Sequence, residues 1–372
     1  MKISRFAQVG AVAAIAALAL AGCASNEGGG GSTGGSSEAP VSDLSGEIAG
    51  GGASSQEVAV QAWTAGFQTA NPDVTITYDP AGSGAGRESF QAGAFAFAGS
   101  DRAFTTDEIA EGPFDGCVEG TGIIELPTYI SPIAVIFNVE GVDELNLDAA
   151  TIAGLFAGTI TTWNDPAIAA LNPDATLPAT AVTPVHRQDD SGTTENFTDY
   201  LYQAAPDVWT SEPDGVWPLS TGEAANGTSG VVTSVSGGDG TIGYADASRA
   251  AEEGLSTAAV QVGEEFVTYS PEAAAAVVDE SPFAEGREDG DLAIELDRTS
   301  EAAGVYPIVL VSYMIACQEY VDTAVAPVVK GFLQYIASPE GQQAAAEAAG
   351  NAPISESLTE QVNAAIDLIV TD

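Results

Sequence analysis

The sequence predicts an α/β fold of two lobes, and two observations carry that expectation. The first is size. A chain of 372 residues with 45% hydrophobic content can bury one large core or two medium ones, and two is the default at this length. The second is a recurring unit in which a short apolar strand runs into a turn of small residues and then a helix. No repeat of solenoid period accompanies it.

In chain order, residues 1–22 read as a signal segment. Lys2 and Arg5 form a charged start, and an apolar run from Val9 to Leu20 follows, too short to span a bilayer comfortably. It ends in Leu20-Ala21-Gly22-Cys23. Small residues before a cysteine at this place resemble the bacterial lipoprotein box, which implies lipidation at Cys23 and cleavage before it. Several acyl chains on one residue suffice for stable anchoring. Residues 23–45, rich in glycine and serine, read as a tether. The expected location is therefore extracytoplasmic, held to the cell membrane by the N-terminal lipid.

With Cys23 spent on lipid, Cys117 and Cys317 remain as an even pair in an oxidising compartment, which predicts a disulfide. Closing a loop of that length stabilises by roughly 4–5 kcal/mol in the chain-entropy model. Metal binding is not expected, since the chain holds 3 cysteines and 1 histidine. The charge is lopsided, with 53 acids against 9 bases. Such a surface repels nucleic acid and keeps the protein soluble, and a monomer is expected. Any anion site must be built locally against this field.

The ordered part opens with a strand and glycine turn, Gly46 to Gly52. Ser54-Ser55-Gln56-Glu57 then reads as a capping box before a helix that presents Val58, Ala62, Trp63 and Phe67. Val74, Ile76 and Tyr78 alternate as a strand into Gly82-Ser83, followed by a helix with Phe90. Phe95 to Gly99 is a buried strand ending at Ser100-Asp101, with a second capping box at Thr105 to Glu108. Ile123 to Val139 is long extended chain with Pro127 and Pro132 as breaks. Helices are expected at Ala149–Phe156 and Pro166–Leu171. A strand from Val182 to His186 enters Arg187-Gln188-Asp189-Asp190-Ser191-Gly192-Thr193-Thr194, and Phe197, Tyr200 and Leu201 share one face of the helix behind it. Ile242 to Tyr244 is a short strand and Val305 to Ala316 a long one. Two helices are expected to close the chain, over Val328–Ile336 and from Ser338-Pro339-Glu340, where serine caps and proline takes the first turn.

Four of these strand ends, at Ser54, Ser83, Asp101 and Arg187 to Thr193, share one design. Helix N-termini leave amides unpaired and carry partial positive charge. Hydroxyls from Ser54, Ser83, Ser191 and Thr193 added to such ends can cage an oxyanion by hydrogen bonds. Arg187 supplies a full charge in a fork suited to tetrahedral oxyanions, and Asp189 or Asp190 can orient it or simply pair with it. Catalysis is not expected. The only histidine, His186, lies in a strand and points opposite to Arg187, no Gly-x-Ser-x-Gly elbow or P-loop occurs, and the chain lacks the histidines of a metal phosphatase.

The chain resembles the phosphate-binding proteins of the high-affinity phosphate ABC importers over about residues 45–355. The most specific element is Arg187-x-x-x-Ser191-Gly192-Thr193 with Phe197 and Tyr200-Leu201. Gly158-x-x-x-x-Trp163-Asn164-Asp165-Pro166, Leu171-Asn172-Pro173, Gly240-x-Ile242-Gly243-Tyr244, Gly82-Ser83, Gly99-Ser100-Asp101 and Ser338-Pro339-Glu340-Gly341 support it. The resemblance implies a two-lobed periplasmic-binding-protein-like fold of type II, each lobe a mixed sheet flanked by helices, hinged by two crossover strands. With crossovers near Thr128 to Asn138 and Val305 to Ser312, lobe I would be 45–128 plus 306–372 and lobe II 129–305. It implies phosphate contacts from Ser54, the Ser55 amide, Ser83 and Asp101 on one lobe, and from Arg187, Ser191, Gly192 and Thr193 on the other, with no cofactor. The partners it implies are inorganic phosphate and the permease and ATPase of an ABC importer. One departure is Ser54-Ser55 where the family often has Thr-Phe, which keeps the hydroxyl and loses an aromatic ring.

Asp101 narrows oxyanion to phosphate. A carboxylate repels an anion unless the anion offers a proton, which phosphate does near neutral pH and sulfate does not. Polar mismatch of this kind discriminates by about 10⁴–10⁵. Pairing of Asp101 with Arg102, or capping of the next turn, is the competing reading, and a sulfate or molybdate binder is the alternative function.

Overall fold

β1 (Gly46–Gly52) ends in the glycines that let two loops approach it, and it feeds α1 (Glu57–Ala70). The same strand-to-helix step repeats in β2 (Val74–Asp79) with α2 (Ser83–Gln91), and in β3 (Phe97–Ser100) with α3 (Thr106–Glu111). Residues 44–371 are described by the computed structural model; the expected signal segment, the lipidation site Cys23 and the tether up to residue 43 lie outside them.

The long strand β4 (Ile123–Asn138) leads to β5 (Leu145–Leu147), α4 (Ala149–Ala157), α5 (Pro166–Leu171), β6 (Thr183–Arg187) and α6 (Gly192–Ala204). Next come β7 (Glu223–Ala225), α7 (Gly227–Gly237), β8 (Thr241–Asp246), α8 (Ala247–Glu252), β9 (Ser256–Val262), β10 (Glu265–Val267) and α9 (Pro271–Glu280). After an irregular segment, β11 (Val309–Cys317) is followed by α10 (Ala326–Ala337), α11 (Pro339–Ala349) and α12 (Glu356–Ile366).

The strands order as β2-β1-β3-β11-β4-β8-β6-β7, with β9 joined to β4, β5 and β10. β4 is what makes this one path. Its first part, Ile123 to Pro132, runs antiparallel to β11, and its second part, Ile133 to Asn138, runs antiparallel to β8. It is buried at every position but Asn138, as expected of a strand covered on both faces. The two prolines expected as breaks are absorbed. Pro127 adjoins a bulge at Ser312/Tyr313, and Pro132 is the last residue on β11 before the partner changes. Proline cannot donate to a ladder, so bulges and partner changes are where a strand tolerates it.

Three sequence expectations need correction. The strand expected over Val305 to Ala316 begins at Val309, because Pro307 interrupts donation; Val305 to Ile308 are buried, and of their backbone groups only the Ile308 carbonyl reaches β4, accepting the Ile133 amide at 2.7 Å. Three helices, not two, close the chain. Ser355 caps α12, which buries Leu358, Val362, Ala365 and Ile366 on one face. The capping box expected at Ser54 and Glu57 does not form; Gln56 holds the N-cap position of α1 without a side-chain cap bond. The buried face of α1 is accordingly Ala59, Val60, Trp63 and Phe67, where each large side chain stabilises by about 1.5–3 kcal/mol.

The capping box at Thr105 and Glu108 is present, as is the Ser338 cap with Pro339 in the first turn. Cys117 and Cys317 form the expected disulfide, with Cα atoms 5.3 Å apart across 200 residues, tying the end of β11 to the loop after α3. No helix of the described residues is long and apolar enough to cross a membrane.

Candidate functional site

The C-terminal ends of β1, β3 and β6 converge with the N-termini of α2, α6 and α7, and the residues expected to contact phosphate lie there. Gly52 adopts φ 135°, and a Cβ on it would stand 2.0 Å from the Gly99 carbonyl oxygen, so the β1 turn requires glycine. Ala53 donates from its amide to that same oxygen at 2.8 Å. The turn aims Ser54 and Ser55 away from α1. The Ser54 hydroxyl lies 3.0 Å from the Thr228 hydroxyl and accepts from the Thr228 amide at 3.2 Å. Ser55 donates to Asp101 Oδ1 at 2.6 Å. Commitment of the Ser54 hydroxyl across the cleft is the physical reason the capping box fails. Glu57, its expected partner, instead meets Arg249 at 2.8 Å.

Ser83 opens α2, and its Oγ accepts the Asp101 amide at 3.1 Å. Asp101, at the end of β3, is 3% exposed. Its Oδ2 accepts from Thr193 at 3.0 Å. Burial raises its pKa, while hydrogen bonds from Ser55, Ser312 and Thr193 and the charge of Arg187 act in the opposite sense. Both oxygens accept hydroxyl protons, an arrangement that suits the ionised form. Asp101 does not pair with Arg102. That guanidinium takes Glu108 in a two-pronged contact at 2.7 and 2.8 Å and Glu195 at 2.9 Å.

From the other side, Arg187 ends β6 and is buried. Its Nε donates to Asp189 Oδ1 at 2.8 Å, its Nη2 donates to Asp189 Oδ2, and Nη1 faces Thr228 Oγ1 at 3.5 Å. Burial opposes ionisation of Asp189, but the hydrogen bonds and charge of Arg187 outweigh it and hold the carboxyl below its usual range. The competing reading, in which Asp189 merely pairs with a surface arginine, fails on burial. Ser191 caps α6 by accepting the Thr194 amide at 3.2 Å. Gly192 follows, and a Cβ there would come within 2.6 Å of Asp101 Cβ and 2.7 Å of Ser83 Oγ. Glycine is what lets the two sides meet.

Sequence reasoning missed Thr228, Asn196 and Arg298. Asn226-Gly227-Thr228 opens α7, with the Gly227 amide donating to Asp189 Oδ1 at 3.0 Å. Its signal was the same strand, small residues and helix seen elsewhere, after the short β7. Asn196 donates to the Asp101 carbonyl at 2.7 Å and receives Arg298 at 2.5 Å; no local pattern announces that pairing. Arg87 donates to Ser100 Oγ at 2.8 Å and lies 3.8 Å from Asp190. His186 stacks on Trp217 with ring centroids 4.9 Å apart.

A model of the PBP superfamily domain matches residues 36–340. Phosphate-binding protein PstS3 of Mycobacterium bovis is 35% identical over 342 residues, covering 90% of this chain and 91% of that relative. PstS 3 of Mycobacterium leprae is 34% identical over 376 residues, covering 99% and 100%. Among solved structures, a high affinity periplasmic phosphate-binding protein described as bound with phosphate superposes with TM-score 0.67 at 21% identity, over 86% of this chain and 93% of that one. The fold is thus the two-lobed α/β fold of type II expected from the sequence. The chain belongs to the PBP superfamily and, within it, to the family of the PstS phosphate-binding proteins.

Proposed function

We propose that this protein captures inorganic phosphate between its two lobes and delivers it to the permease and ATPase of an ABC importer, without chemistry and without a cofactor. The observation that carries the reading is Asp101, a buried carboxylate placed among donors at the point where an oxyanion would sit.

The hydroxyls are arranged for donation. Ser83 Oγ accepts from the Asp101 amide, which leaves its hydroxyl proton free for a ligand oxygen; Ser54 Oγ accepts from the Thr228 amide and, where the Thr228 hydroxyl donates to it, keeps its own proton free as well. Ser55, Gly192 and Thr193 supply amides, with those of α6 at the positive end of a 13-residue helix. Ser191 caps that helix and fixes its first turn. Arg187 keeps one Nη1 and one Nη2 proton for the anion, because Asp189 takes Nε and one Nη2 proton and Thr228 Oγ1 faces Nη1 at 3.5 Å. Asp101 then accepts the proton that phosphate retains. Sulfate has none to give and would face an uncompensated carboxylate in a site from which water is excluded.

Lobe I is taken as 45–128 plus 306–372 and lobe II as 129–305, with the hinge along β4 and the start of β11. The change of partner between Pro132 and Ile133 supports this division. The charged start, apolar run and Ala21-Gly22-Cys23 support a cleaved signal over 1–22, lipidation of Cys23 and a tether that keeps a monomer on the extracytoplasmic face of the cell membrane. Titration calorimetry of the purified protein with phosphate, sulfate and molybdate tests the function. Tight phosphate with negligible sulfate is expected, and failure to bind phosphate would refute it.

A further inference from the structure

The segment between α9 and β11, residues 281–308, holds Arg298, which is 3% exposed. A buried guanidinium is costly unless its donors are met, and here four acceptors meet them. Nε donates to Asp199 Oδ2 at 2.5 Å and Nη2 to Asn196 Oδ1 at 2.5 Å, both on α6. Nη1 donates to the carbonyls of Val309 at 2.8 Å and Pro307 at 3.4 Å, at the start of β11. Arg298 therefore ties a crossover strand to the helix whose N-terminus faces the oxyanion position.

The contact also fixes the orientation of Asn196. A guanidinium only donates, so Arg298 requires the side-chain oxygen of Asn196 and turns the amide nitrogen the other way. That nitrogen donates to the Asp101 carbonyl at 2.7 Å and the Gly192 carbonyl at 2.9 Å. These residues belong to opposite sides of the cleft and flank the place where phosphate is proposed to bind. One amide thus clamps the Asp101 turn to the first turn of α6.

We propose that Arg298 is a positioning residue for phosphate capture, acting through Asn196 as a latch that holds the two sides of the cleft closed. The inference rests on the phosphate-binding function proposed above. The latch touches no ligand, so it sets how long phosphate is retained and leaves the encounter unchanged. The nearby cavity of about 390 Å³, lined in part by Arg102, Arg287 and Arg298, offers no free cation to a second anion. Each of those arginines is engaged by carboxylates or carbonyls.

Two variants test the latch by stopped-flow phosphate kinetics on the full soluble chain, with thermal melting as the structural control. Arg298→Lys keeps the charge and loses the fork. Asn196→Asp keeps an acceptor for Arg298 and loses the donor to the Asp101 and Gly192 carbonyls, so it separates positioning from fold support. For both, dissociation should speed up about 10- to 100-fold, with association within about threefold: Arg298→Lys weakens a charge-assisted contact, and Asn196→Asp loses two neutral bonds and turns a carboxylate toward two carbonyls. A folded Asn196→Asp protein that releases phosphate at the wild-type rate would overturn the latch, even if Arg298→Lys fails to fold. Wild-type protein that binds no phosphate would overturn the function as well.

Discussion

The floor of the cleft and its rim are built from the same residue types put to different use. On the floor, Asp101, Arg187, Ser54, Ser83 and Thr193 are all buried and joined by hydrogen bonds to one another or to their neighbours. On the rim, Arg249 meets Glu57 at 2.8 Å, Arg102 meets Glu195 at 2.9 Å and Arg87 lies 3.8 Å from Asp190. These pairs join the two sides but, apart from Arg87, are partly open to water. Within residues 44–371 the bases are Arg87, Arg102, Arg187, Arg249, Arg287, Arg298 and Lys330, so nearly all stand in, around or behind the cleft. A chain of net charge −44 concentrates its cations beside the place where an anion is proposed to bind. On the proposed function, the difference teaches that the floor is built to select the ligand, while the rim is built to offset repulsion between the two acidic sides.

That contrast can be broken by substitution. Arg187→Ala should cause the largest loss, since it removes the full positive charge that faces the anion and leaves Asp189 buried without its partner; truncating such a pair costs about 2–5 kcal/mol. Phosphate affinity measured by calorimetry should fall about 100-fold or more. Gly192→Ala adds a methyl group 2.6 Å from Asp101 Cβ, which must hold the two sides apart. A loss of about 10- to 100-fold in affinity is expected, with the melting temperature of the unliganded protein nearly unchanged. The smallest effect belongs to the rim. Arg249→Ala breaks an ion pair with exposure near 20% on both side chains, and such pairs contribute about 0–1 kcal/mol. Affinity should fall less than about fivefold at low salt and by less still at 0.5 M salt; a 100-fold loss would place the energetics on the rim.

Much of the floor was legible because its signals are local. Arg187 to Thr193 follows a strand, and Ser83 and Asp101 end strands at turns of small residues. The even pair Cys117 and Cys317 implied its own bridge. Apart from that bridge, sequence did not reveal pairing over long separations. Ser54 could cap α1 or cross to Thr228, 174 residues away, and local spacing favours the cap. Thr228 escaped notice because β7 is only three residues long. Asn196 and Arg298 meet across 102 residues with no pattern between them. β4 reads as one apolar run, yet its change of partner at Pro132 depends on strands far along the chain. The signal and lipidation site remain readings of residues 1–23 alone.

The central claim is that Asp101 selects phosphate by accepting its proton. The direct test is the ratio of phosphate to sulfate affinity in wild type and Asp101→Asn, measured by calorimetry in the same buffer near neutral pH. The amide offers donors where the carboxylate offered only acceptors, so sulfate binding should rise, phosphate binding should fall, and the ratio should shrink at least about tenfold. An unchanged ratio in a folded variant would contradict the account.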